Sequence, residues 1–295
     1  MTKGVSKIVK IFFIFTLAAC SMPAQELATQ VTDEQLTKTN ETAVALDPAP
    51  NQATEEPQTA QCPEGSTEIR AYSVNFCFDT DLAQGLWQEI VPATPIQENM
   101  ALWDVMPEHF MITFTNYILP DTFHPAVMRI FPLQEFAAMF PIAGEKIGAL
   151  SIYLESQESD VPYAPLLPLF NATQVIQVDL TYLSFQNGQG MRWITQYSQD
   201  SGTINNQELF YAFMGITDDE QYLISAILPL SHISLYADMF SEPEGGWENF
   251  DANIDQYYAQ VEQDLSVVSP DSFSPSLEIL DAMMASLEVG PDVLP

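Results

Sequence analysis

The sequence has little positive charge, with eight Lys and Arg residues against 40 Asp and Glu residues in 295 positions. Three of the eight (Lys3, Lys7 and Lys10) lie in the first ten residues. From residue 20 onward, five basic residues face all 40 acidic ones, a formal charge of −35. Nucleic acid is therefore not expected as a partner, because its phosphates need a basic surface. The acidity predicts solubility and mutual repulsion at a crowded surface, ahead of a role in ion storage.

Residue types that carry catalysis or bind metals are also few. The three histidines, His109, His124 and His232, match no HExxH or HxH spacing, so a structural or surface role is predicted for each. The chain has no GxSxG motif, and its glycine-rich NGQGMR segment lacks the spacing of a phosphate-binding loop. No catalytic residue, metal ligand or cofactor is predicted.

The first twenty residues have the pattern of an export signal. Three lysines precede an apolar run, Ile11 to Ala19, that is too short to cross a bilayer as a helix. The run ends in Leu17-Ala18-Ala19-Cys20, which resembles the lipobox of bacterial lipoproteins. The resemblance implies that residues 1–19 are removed and that Cys20 carries a lipid. The alternative is an ordinary cleaved signal followed by an accidental cysteine.

The lipobox resemblance implies an extracytoplasmic protein whose only contact with the membrane is its N-terminal lipid. Ser21 is not the aspartate that retains some lipoproteins at the inner membrane, so an outer or outward-facing surface is favoured. Residues 20–61 are rich in Thr, Gln, Ala, Glu and Pro without a sustained apolar period, which predicts a disordered tether.

A single folded domain is predicted over residues 62–290, with a disulfide near its start. Apart from Cys20, the cysteines are Cys62 and Cys77, and an oxidising compartment would allow them to pair. Alternation of apolar and polar residues, bounded by Pro, Asp and Gly, predicts strands in the first half at 70–79, 85–92, 111–119 and 126–132. In the first of these, Tyr72, Val74, Phe76 and Phe78 share one face.

The second half predicts two hairpins and two covering helices. One hairpin joins 175–185 to 191–198 through the turn 187–190, and the other joins 208–216 to 221–230. Helical periodicity predicts helices at 133–140 and 144–156, which Pro141 separates. It predicts another helix at 249–265 and a last helix that starts with Ser274 as N-cap and Pro275 as N1. Together these elements predict an α+β sandwich, an antiparallel sheet of hairpins covered by helices.

Two stretches carry a further resemblance. The segment NGQGMRWITQYSQ to QYLISAILPL is similar to uncharacterised bacterial lipoproteins, and SLEILDAMMASLEV resembles the last helix of PsbP-like α/β/α sandwiches. PsbP-like domains are mostly non-enzymatic binding and assembly factors. The resemblance contains no catalytic motif, so it implies a fold and a broad class but no site residues.

Arg192 and Trp193 are the candidate ligand or anion contacts. Arg192 is one of few basic residues and sits beside a hairpin turn, where either pairing with an acid or anion capture suits it. The tryptophans could line a sugar cleft or the core.

Asp79-Thr80-Asp81 begins like a calcium loop but lacks the later ligands, so a solvated turn is favoured. The acids from Glu242 to Asp251 suit a loop before a helix N-terminus.

These observations predict a lipid-anchored extracytoplasmic binding or assembly module, with an envelope protein or a carbohydrate as partner. The alternative is an envelope hydrolase that uses Asp and Glu residues in a cleft, because 40 acidic residues provide many carboxylate pairs. A pocket with two convergent carboxylates would favour the enzyme, and a filled sandwich with exposed aromatic side chains would favour the binder.

Overall fold

The computed structural model describes residues 62–294. The predicted signal 1–19, the lipid-bearing Cys20 and the tether 20–61 lie outside these residues. The described chain has the predicted α+β fold, with a large antiparallel sheet packed against a few helices. None of the helices in this part of the chain has both the length and the apolar character needed to cross a membrane.

Residues 62–294 form twelve strands and five α-helices. In chain order they are β1 (Ser66–Ala71), β2 (Val74–Asp79), β3 (Ala83–Val91), β4 (His109–Tyr117), β5 (Val127–Pro132), α1 (Leu133–Met139), α2 (Pro141–Ser156), β6 (Thr173–Phe185), β7 (Gly188–Ser198), β8 (Phe210–Thr217), β9 (Tyr222–Pro229), β10 (Ser231–His232), α3 (Trp247–Ala252), α4 (Ile254–Ser266), β11 (Phe273–Ser274), α5 (Leu277–Ala285) and β12 (Glu288–Val289). A short 3-10 turn, Leu102–Asp104, follows β3.

Seven antiparallel strands form the main sheet in the order β3-β4-β5-β9-β8-β7-β6. Both predicted hairpins are present, as β6–β7 and β8–β9, and β8 also pairs with β7. Two small sheets lie beside it, β1-β2-β12 and β10-β11.

Helices cover both faces of the main sheet. Helices α1 and α2 contact β5, β7, β8 and β9 on one face, and α4 and α5 contact β6 on the other; α5 also packs against β2. We call these the α1–α2 face and the α4–α5 face. Every residue of β8 and β9 is buried, which explains why their sequences are almost continuously apolar.

The glycines of the first hairpin lie in a strand and not in its turn, contrary to the prediction of a 187–190 turn. Phe185 pairs with Gly188, so Gln186 and Asn187 form the turn. A Cβ atom at Gly190 would lie 2.2 Å from the ring of Phe213. Glycine is therefore required in β7 because aromatic rings from the sheet occupy the space of a side chain.

The predicted first strand, 70–79, is two strands with a tight turn between them. Tyr72 has a φ of 53° and is exposed, whereas Val74, Phe76 and Phe78 are buried as predicted. The predicted disulfide is present, since Cys62 and Cys77 are bonded with a Cα–Cα distance of 5.4 Å. The bond attaches the start of the described chain to β2.

Two helix boundaries also differ from the prediction. The 249–265 helix is interrupted at Asn253, which separates α3 from α4. Ser274 is not the N-cap of the last helix, because it pairs with Ser231 in the β10-β11 sheet. The N-cap is Ser276, whose hydroxyl accepts a hydrogen bond from the backbone N–H of Glu278 at 3.2 Å. Leu277, Leu280, Met284 and Leu287 are buried and form the inward-facing side of the helix and of the residues just after it.

Candidate functional site

Arg192 lies on the α4–α5 face, is 4% exposed and is bound by two acids. Its Nε and Nη2 atoms each donate to a carboxylate oxygen of Asp281 at 3.2 Å, and its Nη1 donates to Oδ2 of Asp179 at 2.6 Å. Burial acts to lower the pKa of Arg192, but the charges of Asp281 and Asp179 outweigh it and raise that pKa. The guanidinium is thus neutralised within the fold.

Trp193 follows Arg192 in β7 and therefore points to the opposite face of the sheet. It is fully buried with the apolar residues of the α1–α2 face, and its indole N–H has no hydrogen-bond partner. Both residues are buried, and the ligand or anion contact at Arg192 and Trp193 stays a prediction. Arg192 and Trp193 are adjacent in sequence, but successive side chains of a strand point to opposite faces of the sheet. The two side chains therefore do not form one contact surface.

The acidic segments form turns and helix starts. Oδ1 of Asp79 accepts a hydrogen bond from the backbone N–H of Asp81 at 2.8 Å, a local turn of the favoured kind. Glu248 lies in the first turn of α3, after the N-cap Gly246. Across residues 62–294, no group of three or more His, Cys, Asp or Glu side chains is arranged to hold a metal ion.

Two adjoining cavities form a cleft on the α1–α2 face, and β5 and β9 provide the floor of the first. The first has a volume of about 250 Å³, and its walls come from the 3-10 turn that bears Trp103 and from the segment 168–171. The second has a volume of about 320 Å³ and extends toward Tyr197 and Glu208. His124, Phe170 and Asn171 line both cavities, so the two together form one candidate site.

Five aromatic rings form a cluster at this junction. The imidazole of His124 stacks on Phe170 with ring centroids 5.1 Å apart and an interplanar angle of 11°. His124 also meets Phe210 edge-on at 4.8 Å, and Phe170 meets Tyr197 edge-on at 5.0 Å. Phe123, which is 68% exposed, closes the outer side at 4.9 Å from His124. The aromatic cluster presents flat apolar surface to whatever enters the cleft.

His124 has an unsatisfied polar atom at this point. The residue is 9% exposed, and its Nε2 atom is buried without any hydrogen-bond partner. Burial lowers the pKa of His124 to about 4, so the imidazole is neutral at physiological pH. A buried nitrogen without a partner costs about 1 to 3 kcal/mol of unfolding free energy.

Arg129 lines the first cavity from the middle of β5 and lacks a carboxylate partner. It shares the α1–α2 face with Val127 and Phe131, its neighbours two positions away in the strand. Within residues 62–294, no carboxylate oxygen lies within 4.0 Å of its guanidinium nitrogens, whereas Arg70 and Arg192 both have such partners. Burial lowers the pKa of Arg129.

The second cavity is more polar at its far end. Asp200 and Glu208 both line it, and Glu208 is buried. Oε2 of Glu208 accepts hydrogen bonds from the side-chain amides of Gln196 at 3.0 Å and Asn205 at 2.8 Å. These contacts fix the loop before β8, so Glu208 has a structural function whether or not the cavity is filled.

A larger groove, of about 680 Å³, lies beside α2. Its polar lining includes Glu155, Asp218 and Glu220, which are all exposed. None of the buried polar atoms without partners in the described chain belongs to this groove. The smaller cleft is therefore the stronger candidate of the two, because its walls are largely apolar and aromatic whereas the groove is lined by exposed acids.

Sequence reasoning missed the cleft, although two signals for it were present. Arg129 interrupts an otherwise apolar strand, AVMRIFP, in a chain with very few basic residues. His124 lies in an aromatic-rich stretch of the sequence, and it is more than 40 residues away from Phe170 and Tyr197 along the chain. Only the sheet order brings β5 beside β9 and the segment 168–171 over them.

Comparison with known proteins adds no relative. No family model, no curated protein and no solved structure matches the chain. The resemblances to bacterial lipoproteins and to PsbP-like sandwiches therefore stay predictions from sequence.

Proposed function

We propose that the protein is a lipid-anchored binding domain of the bacterial cell envelope that holds a small, largely apolar ligand in the cleft. The observation that carries this proposal is the cleft itself, whose two cavities of about 250 and 320 Å³ meet at the stacked rings of His124 and Phe170. Pockets that bind small molecules combine apolar and aromatic walls with a few polar groups that orient the ligand.

Stability considerations support the proposal. Among the residues that the structure describes, the buried imidazole nitrogen of His124 has no hydrogen-bond partner, and the half-buried guanidinium of Arg129 has no carboxylate within 4.0 Å. Both features lower the unfolding free energy of the empty protein. Phenylalanine in place of His124 and methionine in place of Arg129 would fill the same space without that cost. Polar groups that weaken a fold beside a cavity are expected where the cavity has a function.

The predicted anchor fits this function. Lipid on Cys20 would hold the domain at the envelope surface, and residues 21–61 would provide the reach. The negative charge of the chain keeps the domain away from anionic headgroups, so the lipid would be its only attachment to the membrane.

A thermal-shift screen with a blocked cleft tests the binding function. In the full-length protein, Asn171→Trp places a large ring at an exposed position that lines both cavities. Thr67→Trp, exposed on β1 and lining neither cavity, is the matched control. We expect small aromatic or aliphatic compounds to raise the melting temperature of the wild type and of Thr67→Trp, but not of Asn171→Trp. No stabilising compound, or equal effects on all three proteins, contradicts the proposal.

A second candidate function is hydrolysis, because Asp200 and Glu208 both line the second cavity. Glycosidases use two carboxylates across the scissile bond. The two donors on Oε2 of Glu208 favour a structural role for it instead. Turnover of nitrophenyl glycosides by the wild type, lost in Glu208→Gln with an unchanged circular dichroism spectrum, would establish the hydrolase.

A further inference from the structure

The first cavity carries a charge opposite in sign to that of the protein. Arg129 is half-buried among Val127, Ile227 and Pro168, with no carboxylate of the described chain within 4.0 Å. Acidic residues outnumber basic ones five to one in this sequence, so a partner for Arg129 would have been easy to supply. A cation kept without a partner in an apolar wall is matched by an anionic group on the ligand.

The size and the apolar walls of the first cavity limit the part of the ligand that carries the anionic group. Trp103, which is 40% exposed, and Phe170 both line the first cavity, together with Met106 and Leu169. A cavity of roughly 150 Å³ holds a benzene molecule. The first cavity, at about 250 Å³, therefore has room for one aromatic ring and a small polar group.

Resting on the proposed binding function, we propose that the ligand is a small aromatic carboxylate. Its carboxylate pairs with the guanidinium of Arg129, and its ring lies against Trp103 and Phe170. The planar guanidinium suits a carboxylate because it donates two parallel hydrogen bonds. The proposal involves binding only, with no bond made or broken in the ligand.

Calorimetric titration with matched ligands tests the charge requirement. Benzoate and its uncharged analogue benzamide are titrated into the full-length protein in detergent, and inorganic phosphate serves as an anion without a ring. We expect benzoate to bind at least tenfold more tightly than benzamide, since a charged hydrogen-bonded pair replaces a neutral one. Phosphate is expected to bind more weakly than benzoate because it lacks the contact with the aromatic walls.

Two variants of Arg129 assign the charge preference to this residue. Arg129→Gln should weaken benzoate binding by about tenfold to a hundredfold and leave benzamide binding within about threefold. Arg129→Lys should recover part of the affinity because it restores the charge without the planar fork. Circular dichroism and melting temperature confirm that each variant is folded.

The outcomes separate the ligand class from the binding function. Equal affinities for benzoate and benzamide, both lost in Asn171→Trp, overturn the carboxylate proposal and leave the binding function standing. Benzoate binding that survives Arg129→Gln also overturns it, as does phosphate binding equal to that of benzoate. If neither benzoate, benzamide nor any compound of the thermal-shift screen binds, both proposals fail.

Discussion

Arg192 on β7 and Asp281 on α5 form a two-point ion pair, in which two guanidinium nitrogens each lie 3.2 Å from a carboxylate oxygen. Tyr211 donates its hydroxyl to the same carboxylate at 2.9 Å. Desolvation raises the pKa of Asp281, and the contacts with Arg192 and Tyr211 offset only part of this rise. The pair attaches the last helix to the α4–α5 face of the sheet.

Removal of one partner should therefore weaken the fold. We expect Asp281→Ala to lower the unfolding free energy by about 3 kcal/mol, since Arg192 would keep its charge in a buried place with fewer partners. Urea unfolding gives the value. The control is Glu68→Ala, which breaks the exposed pair with Arg70 and should cost at most about 1 kcal/mol. Equal losses in the two variants would show that burial does not strengthen the Arg192 pair.

His124 should make the protein less stable in mild acid. Its pKa is about 4 in the native state against 6.5 in the unfolded chain, so between these values the unfolded state binds more protons. The contribution of His124 to the unfolding free energy is present in full above pH 6.5 and is lost as the pH falls toward 4. The expected loss from this residue is about 1 kcal/mol at pH 5.5. Burial lowers the pKa of His109 and His232 too, which adds to the effect.

A substitution isolates the contribution of His124. His124→Phe keeps a ring beside Phe170 but cannot titrate, and Arg129, Asp200 and Glu208, the charged groups lining the two cavities, are unchanged. We expect the fall in unfolding free energy from pH 7.5 to 5.5 to be about 1 kcal/mol smaller in the variant. Parallel pH profiles for the two proteins would mean that His124 titrates normally in the fold.

The Cys62–Cys77 disulfide should stabilise the domain by restricting the unfolded chain. With a sequence separation of 15 residues, the chain-entropy relation gives about 3 kcal/mol. The double variant Cys62→Ala/Cys77→Ala should lose about this amount in urea unfolding, and peptides from the unreduced wild type should remain linked in mass spectrometry. Free thiols at both positions in protein taken from the envelope would refute the pairing.

The proposed lipid on Cys20 leads to a prediction about the location of the protein. Cys20→Ala should move it from the membrane fraction to the soluble extracytoplasmic fraction, because the chain has no basic patch to replace the lipid. Ser21→Ala is the matched control and should stay with the membrane. Mass spectrometry of the N-terminal peptide should show the lipid. Unchanged membrane association of Cys20→Ala, with no lipid mass on the wild type, would contradict the anchor.

The sheet could be predicted well from sequence because its signals are local. The hairpin β8–β9 follows from two apolar runs and an acidic turn, and its register pairs Phe213 with Ala226. Boundaries that depend on distant contacts were wrong. Gly188 and Gly190 resemble turn residues, but rings of Phe185 and Phe213 require them in β7.

The cleft could not be predicted because no local pattern specifies it. The sequence predicts a structural or surface role for His124, and it places Arg129 in a strand without assigning it a function. Their significance depends on what they lack, a partner in three dimensions, and only the packed structure reveals such a lack. By contrast, Arg192 attracted notice in the sequence for its rarity, and the fold uses it for an internal ion pair.

Nitrogen NMR of the histidine side chains tests the binding claim most directly. The sequence has three histidines, and selective ¹⁵N labelling of the full-length protein reports on each, with His124→Phe providing the assignment. The rings of His109 and His232 already have partners, the carbonyl of Pro107 at 2.9 Å and the hydroxyl of Ser234 at 2.7 Å. On titration with benzoate we expect the Nε2 signal of His124 to shift and the other two to stay. A His124 signal that stays unmoved with benzoate, and with each compound that raises the melting temperature, contradicts binding in the cleft.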